Sequence, residues 1–146
     1  MHFVGTFDYV MDERGRVPLP PVYRDAFREG LVLSQGLPDQ CLRVYTRQAF
    51  EKLAEEVLED STLTQGGREL RRGFFGSSRH AELDKQNRVL IPPPLRQVAG
   101  LEKQVQVVGN GEYLEIWPVE GWEAESTRIM STIGSTMESA IERRKQ

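Results

Sequence analysis

Two arginines stand at matching places in a repeated stretch: Arg16 in "DERGRVPLPPVYR", residues 12–24, and Arg88 in "DKQNRVLIPPPLR", residues 84–96. A guanidinium is a planar fork of N–H donors, suited to bidentate bonding with guanine O6 and N7 or to gripping phosphate oxygens. An arbitrary arginine is usually solvated or paired with a surface carboxylate. Recurrence at equivalent positions, each directly after a turn, points instead to recognition. The same stretches carry Asp12 and Asp84. Two aspartates meeting on a pseudo-twofold axis could share a proton as a catalytic dyad. Each is followed by a charged residue in a polar turn, however, and the simpler reading is a carboxylate that caps its own turn through backbone N–H groups.

Other chemistry is sparse. Ser77 and Ser78 lie close to His80 in the chain, but proximity in sequence does not make a triad. "GNG" at 109–111 lacks the strand, helix and spacing of a phosphate loop and reads as a hairpin turn. Cys41 is the single cysteine and His2 and His80 are the only histidines, so neither an internal disulfide nor a metal-ligand cluster is expected. No cofactor and no enzymatic activity are expected either.

The net charge of -3 argues against a duplex DNA partner, which favours a basic surface. Distribution matters more than the total. Glu51, Glu55, Glu56, Glu59 and Asp60 gather in one stretch, whereas Arg14, Arg16, Arg24, Arg28, Lys85, Arg88 and Arg96 lie in or beside the repeat. A basic face on an acidic protein is therefore possible. No apolar run approaches the ~18 residues of a membrane span. The amino terminus shows no basic region followed by an apolar stretch, so a cytoplasmic location is expected.

The elements that position these residues follow from the repeat. A shift of 72 residues, the separation of Asp12 and Asp84, also aligns Val17 with Val89, Pro20 and Pro21 with Pro92 and Pro93, and Arg24 with Arg96. Without a gap it aligns "CLRVYTRQAF" with "YLEIWPVEGW". In each unit an extended segment, Phe3 to Val10 or Arg79 to Leu83, leads through a turn into a short strand, Arg16 to Leu19 or Arg88 to Ile91. That pattern predicts a hairpin. Proline then starts a short helix near Pro21 to Arg28 and Pro93 to Val98, with Gly30 and Gly100 as their ends. "LVLSQ" with "LRVYT", and "VQVVG" with "YLEIW", predict a second hairpin in each unit. The organisation expected is a first repeat over 1–60, a connecting helix over 61–76, a second repeat over 77–123 and a C-terminal helix over 124–146.

The C-terminal segment repeats Ile129, Met130, Ile133, Met137 and Ile141 at helical spacing, a stripe that packs either on its own core or on a neighbouring subunit. Arg68 and Arg72 share a helix face near Arg71, as basic surface or as part of a subunit contact. Arg24 and Arg96 fall in the short helices, where pairing with Asp12 or Asp84 and contact with a ligand are both open. Trp117, Trp122, Tyr45 and Phe50 close their units and read as core. Gly15 becomes Asn87 in the second copy. If the turn needs one residue at positive φ, glycine adopts it without steric cost and asparagine is the commonest substitute. The substitution therefore predicts two turns of the same shape.

Taken together, "DERGRVPLPPVYR", "CLRVY", "RRGFFGSSRHAELDKQNRVLIPPPLR" and "VVGNGEYLEIW" closely resemble the MraZ family of bacterial transcriptional regulators. The resemblance implies an α+β, mainly β fold: a pseudo-twofold swapped-hairpin β-barrel of two SpoVT/AbrB-like repeats, with short helices and a C-terminal helix. It further implies a homo-oligomeric ring on the nucleoid that binds double-stranded DNA at repeated GTG-containing boxes. The target would be the promoter of the division and cell-wall gene cluster, including the protein's own gene, with repression as the outcome. The family's DNA-reading arginine falls on Arg16 and Arg88. The implied DNA-binding residues are Arg14, Gly15 and Arg16 in the first turn and Lys85, Asn87 and Arg88 in the second, with Arg24 and Arg96 as secondary basic contacts. A ring-forming interaction scaffold without specific DNA binding is the alternative.

Overall fold

A computed structural model describes all residues, Met1 to Gln146. Strands form where β-branched and aromatic residues cluster between turn residues: β1 (Thr6–Val10), β2 (Arg16–Pro18), β3 (Leu31–Gln35), β4 (Leu42–Thr46), β5 (Arg79–Ala81), β6 (Arg88–Leu90), β7 (Gln104–Gly109) and β8 (Leu114–Pro118). The helices are α1 (Arg47–Leu58), α2 (Gln65–Gly76), α3 (Pro93–Ala99) and α4 (Val119–Lys145), with a short 3-10 helix at Pro21–Phe27. Proline opens the 3-10 helix and α3, where its missing N–H has no intrahelical partner to lose.

The six strands of the main sheet run antiparallel in the order β1-β7-β8-β4-β3-β5, and the sheet is open; β2 and β6 pair separately. Exchanging each strand for its counterpart in the other repeat reverses this order onto itself. A pseudo-twofold axis therefore passes between β4 and β8 and between β2 and β6.

The expected pairing of Phe3–Val10 with Arg16–Leu19, and of Arg79–Leu83 with Arg88–Ile91, is corrected by this topology. Tyr9 of β1 lies opposite Val105 of β7, His80 of β5 opposite Val32 of β3, and Val17 of β2 opposite Val89 of β6. Only the turns close locally, the Asp12 N–H donating to the Arg16 carbonyl at 3.0 Å and the Asp84 N–H to that of Arg88 at 2.9 Å. The cause is burial. One repeat alone has too little apolar surface for a core, and exchanging first strands lets both repeats share one. The second hairpins, β3 with β4 and β7 with β8, do form within their own repeats.

Side chains alternate across the sheet. On one face Leu31, Leu33, Leu42, Val44, Val105, Val107, Leu114 and Ile116 meet Val17, Leu19, Val89 and Ile91 of the β2–β6 layer, with Phe27 and Leu95 from the short helices closing over them. Full burial of such a side chain contributes roughly 1.5–3 kcal/mol. On the other face Val32 and Tyr45 lie beneath Phe50 and Ala54 of α1, with Phe74 and Phe75 of α2 alongside.

Helix α1 goes beyond the elements read from the sequence, where these residues stand out by their acidity. Its signals are present all the same. The Thr46 side chain accepts from the Ala49 N–H at 3.1 Å as an N-cap, and Phe50, Ala54 and Val57 recur on one buried stripe. Arg71 donates to the carbonyls of Leu58 and Asp60, and Arg68 to that of Thr62. These two arginines tie down the α1–α2 connection, and Arg72 is exposed. At the opposite end of the sheet Cys41, Val108 and Trp117 pack with Trp122. Beyond it α4 leaves Met130, Ile133, Met137 and Ile141 exposed, so the stripe does not pack on the chain's own core.

Candidate nucleic-acid interface

Each arginine-bearing turn is built by one aspartate. Asp12 Oδ1 accepts from the backbone N–H groups of Arg14 at 3.0 Å and Arg16 at 2.9 Å. Asp84 Oδ1 accepts in the same way from Gln86 and Arg88, both at 2.9 Å. The Gly15 N–H donates to the Asp12 carbonyl and the Asn87 N–H to that of Asp84, each at 3.0 Å. These bonds require the third turn residue to take positive φ, which is 88° at Gly15 and 63° at Asn87. The replacement of glycine by asparagine thus preserves the turn.

The second carboxylate oxygen holds the arginine. Asp12 Oδ2 accepts from Arg16 Nε at 2.6 Å and Asp84 Oδ2 from Arg88 Nε at 2.9 Å. Arg88 Nη1 also approaches Asp12 Oδ2 at 3.6 Å, which links the two turns across the pseudo-twofold axis. The backbone joins them as well: the Ile91 N–H donates to the Gly15 carbonyl at 2.8 Å and the Leu19 N–H to that of Asn87 at 3.0 Å. With Nε engaged, the Nη edge of Arg16 makes no hydrogen bond within the chain. Arg14 and Lys85 are exposed on the tips of their turns, and Arg16 and Arg88 are partly exposed beside them. This arrangement presents donors on a rigid support.

The aspartates are ionised spacers and not a proton-sharing dyad. The Arg16 N–H foremost, with the Arg16 guanidinium and the Arg14 N–H, holds the Asp12 carboxyl below the usual carboxylate range. Desolvation pushes Asp84 up, but the Arg88 and Gln86 N–H groups and the Arg88 guanidinium together outweigh it, and its carboxyl also lies low. A shared proton would have raised one of the two. The role of each aspartate as a turn cap is legible in the sequence. The tether to Nε is not, although the repeated four-residue spacing from Asp to Arg is its trace.

Arg24 and Arg96 part company. Neither pairs with Asp12 or Asp84, whose carboxylates are already held by Arg16 and Arg88. The Arg96 guanidinium lies against Gly15, whereas Arg24 is exposed. Asn87 meanwhile turns its side chain inward, Nδ2 donating to the Leu19 carbonyl at 2.7 Å.

The remaining candidates resolve into structure. Ser77 Oγ donates to the Gly73 carbonyl and Ser78 Oγ to that of Phe74, while His80 is exposed on β5, so no triad assembles. Gly109 ends β7, and Asn110 and Gly111 lie in the turn to β8, with Gly111 at φ 76°. No helix is long and apolar enough to cross a membrane.

Comparison with known proteins agrees with the doubled architecture. The sequence model of the family described as "MraZ protein, putative antitoxin-like" matches twice, over residues 2–73 and 74–142. The chain is 40% identical over 124 residues to the transcriptional regulator MraZ of Thermomicrobium roseum, covering 85% of this chain and 87% of that protein. It is 39% identical over 123 residues to that of Dehalococcoides mccartyi, covering 84% and 87%. With the protein of the same name from Leifsonia xyli it shares 34% identity over 139 residues, 95% of this chain and 96% of the relative. Two matched repeats and extended similarity to these regulators establish that the chain belongs to the MraZ family of transcriptional regulators.

Proposed function

We propose that this protein is a sequence-specific DNA-binding regulator, active in the cytoplasm and associated with the nucleoid, that uses its two aspartate-braced turns as reading heads. The observation that carries the reading is the duplicated geometry: Arg16 and Arg88 follow turns of the same shape and are each held through Nε by a carboxylate. That hold fixes the side chain and leaves the Nη edge of Arg16, and the Nη2 of Arg88 beyond its ion pair with Asp12, for guanine or phosphate. Arg14, Gly15, Lys85 and Asn87 complete the heads. In this reading the exchange of β1 and β5 between repeats is the swapped-hairpin barrel of the resemblance, with repeats over 1–60 and 77–123.

Few contacts per subunit make for weak binding. Joining subunits in a ring raises the effective concentration of each head at boxes spaced along the duplex. The exposed stripe of α4 supports association with other copies of the chain. The targets proposed are repeated GTG-containing boxes upstream of the division and cell-wall cluster and the protein's own gene, with repression as the effect.

The test is binding to a duplex of the gene's own upstream region and to a scrambled duplex, across a salt series, for wild type, Arg16→Ala and Arg88→Ala. Preference for the upstream duplex that is lost in Arg16→Ala supports the reading. Unchanged affinity in Arg16→Ala overturns it, and a steep salt slope with no preference indicates backbone attraction alone.

A further inference from the structure

Arg24 and Arg96 are equivalent in the repeat, yet only one of them touches a turn. A Cβ at Gly15 would stand 2.7 Å from Arg96 Cζ, 2.8 Å from Nε and 3.0 Å from Nη1, so the missing side chain is what admits the guanidinium. Arg96 forms no ion pair with any carboxylate of the chain, and its Nε is buried without a hydrogen-bond partner. Arg16 and Arg88 are neutralised by Asp12 and Asp84; Arg96 is a partly desolvated cation left uncompensated beside the first turn. At the second turn the equivalent space is taken by Asn87, which is buried and bonded to the Leu19 carbonyl, and Arg24 stays in solvent.

Charge tells the same story. In the first turn Asp12 and Glu13 balance Arg14 and Arg16, whereas in the second Asp84 faces both Lys85 and Arg88. Adding Arg96 to the first turn gives the two heads the same net positive charge.

We infer that the first head is a composite of both repeats, in which Arg96 binds a DNA phosphate beside the Gly15 turn, while the second head works without Arg24. The inference rests on the reading of the turns as DNA-binding elements. A guanidinium already packed against backbone loses little side-chain freedom on binding, which favours its use as a fixed phosphate clamp. Phosphate contacts position a protein without reading sequence, so the effect of Arg96 must be the same on every duplex.

The test uses the full chain with the upstream and scrambled duplexes. Arg96→Ala is expected to weaken binding to both by the same factor and to lower the salt slope by about 0.9 for each engaged subunit. Across a fourfold rise in salt, that is a loss of affinity smaller by roughly threefold than in wild type. Arg24→Ala is expected to change neither. Gly15→Asn keeps the left-handed turn but fills the space, so it should reproduce Arg96→Ala, and combining the two should add nothing. Gly15→Asn also carries the test if Arg96→Ala does not fold. Equal effects of Arg24→Ala and Arg96→Ala, an effect confined to the upstream duplex, or an unchanged salt slope in Arg96→Ala overturns the inference. Retained binding in Arg16→Ala sinks instead the reading on which it rests, so the two failures are distinguishable.

Discussion

Val17 and Val89 face each other at the centre of the β2–β6 pair, both with no exposed surface, and they test whether the repeats share one core. Valine to alanine removes two carbons, worth ~1.6 kcal/mol at ~0.8 kcal/mol each. The hole left adds about 1 kcal/mol if roughly 40 Å³ stays empty at ~24 cal/mol per Å³. Each single variant is thus expected to lose about 2–3 kcal/mol, a large part of a typical stability of ~5–15 kcal/mol, yet to remain folded. The contact between the two valines is lost in either single variant. The double variant should therefore cost less than the sum by about 0.5–1 kcal/mol. Val32, on the opposite face of the sheet, shares no such contact with Val17, and that pair should add to within ~0.5 kcal/mol. Urea unfolding followed by the fluorescence of Trp117 and Trp122 reads all of these, provided the slope with denaturant stays constant. Strict additivity of Val17→Ala and Val89→Ala, or equal coupling of Val17 to Val32, refutes the shared core.

The strand exchange makes a related prediction: a fragment of residues 1–76 lacks β6 and β7, leaving β1 and β2 unpaired, and should show no cooperative unfolding as a monomer. A stable folded monomer in circular dichroism and sedimentation would contradict it. Asp12 and Asp84 have folded-state values below their unfolded ones, so the stability they contribute is complete above about pH 4 and is lost as pH falls through the lowered folded values. The urea midpoint of the Asp12→Asn/Asp84→Asn variant should accordingly fall less between about pH 5 and pH 3 than that of wild type; equal falls would show that these carboxylates are not the groups responsible. Burial and the neighbouring Glu115 carboxylate push the Cys41 thiol far above its ordinary value. A thiol reagent at about pH 8 should leave the native protein unmodified and label it once urea unfolds it, whereas prompt native labelling would place Cys41 at the surface.

Much of this molecule is legible in its residue types. Paired prolines mark the short helices, and Gly15 and Asn87 mark turns that need positive φ, because such constraints act within a few bonds. Asp12 and Asp84 as turn caps belong to the same class. Thr46 and the Phe50, Ala54, Val57 stripe make α1 legible too, once the acidic residues around them are set aside. What local sequence could not decide was which strand pairs with which. β3 and β7 offer similar apolar patterns, so β1 finds an equivalent ladder on either. Burial of both repeats in a single core makes the choice.

The same limit hid the asymmetry of the two turns. The repeat aligns Arg24 with Arg96 and treats them alike, while the contact of Arg96 with Gly15 and the inward bond of Asn87 to Leu19 cross from one repeat to the other. Sequence by itself determined the doubled plan, the turn chemistry and the arginines that follow it. Only the tertiary structure decided strand exchange and the fate of each secondary arginine, because both depend on space left by residues distant in the chain.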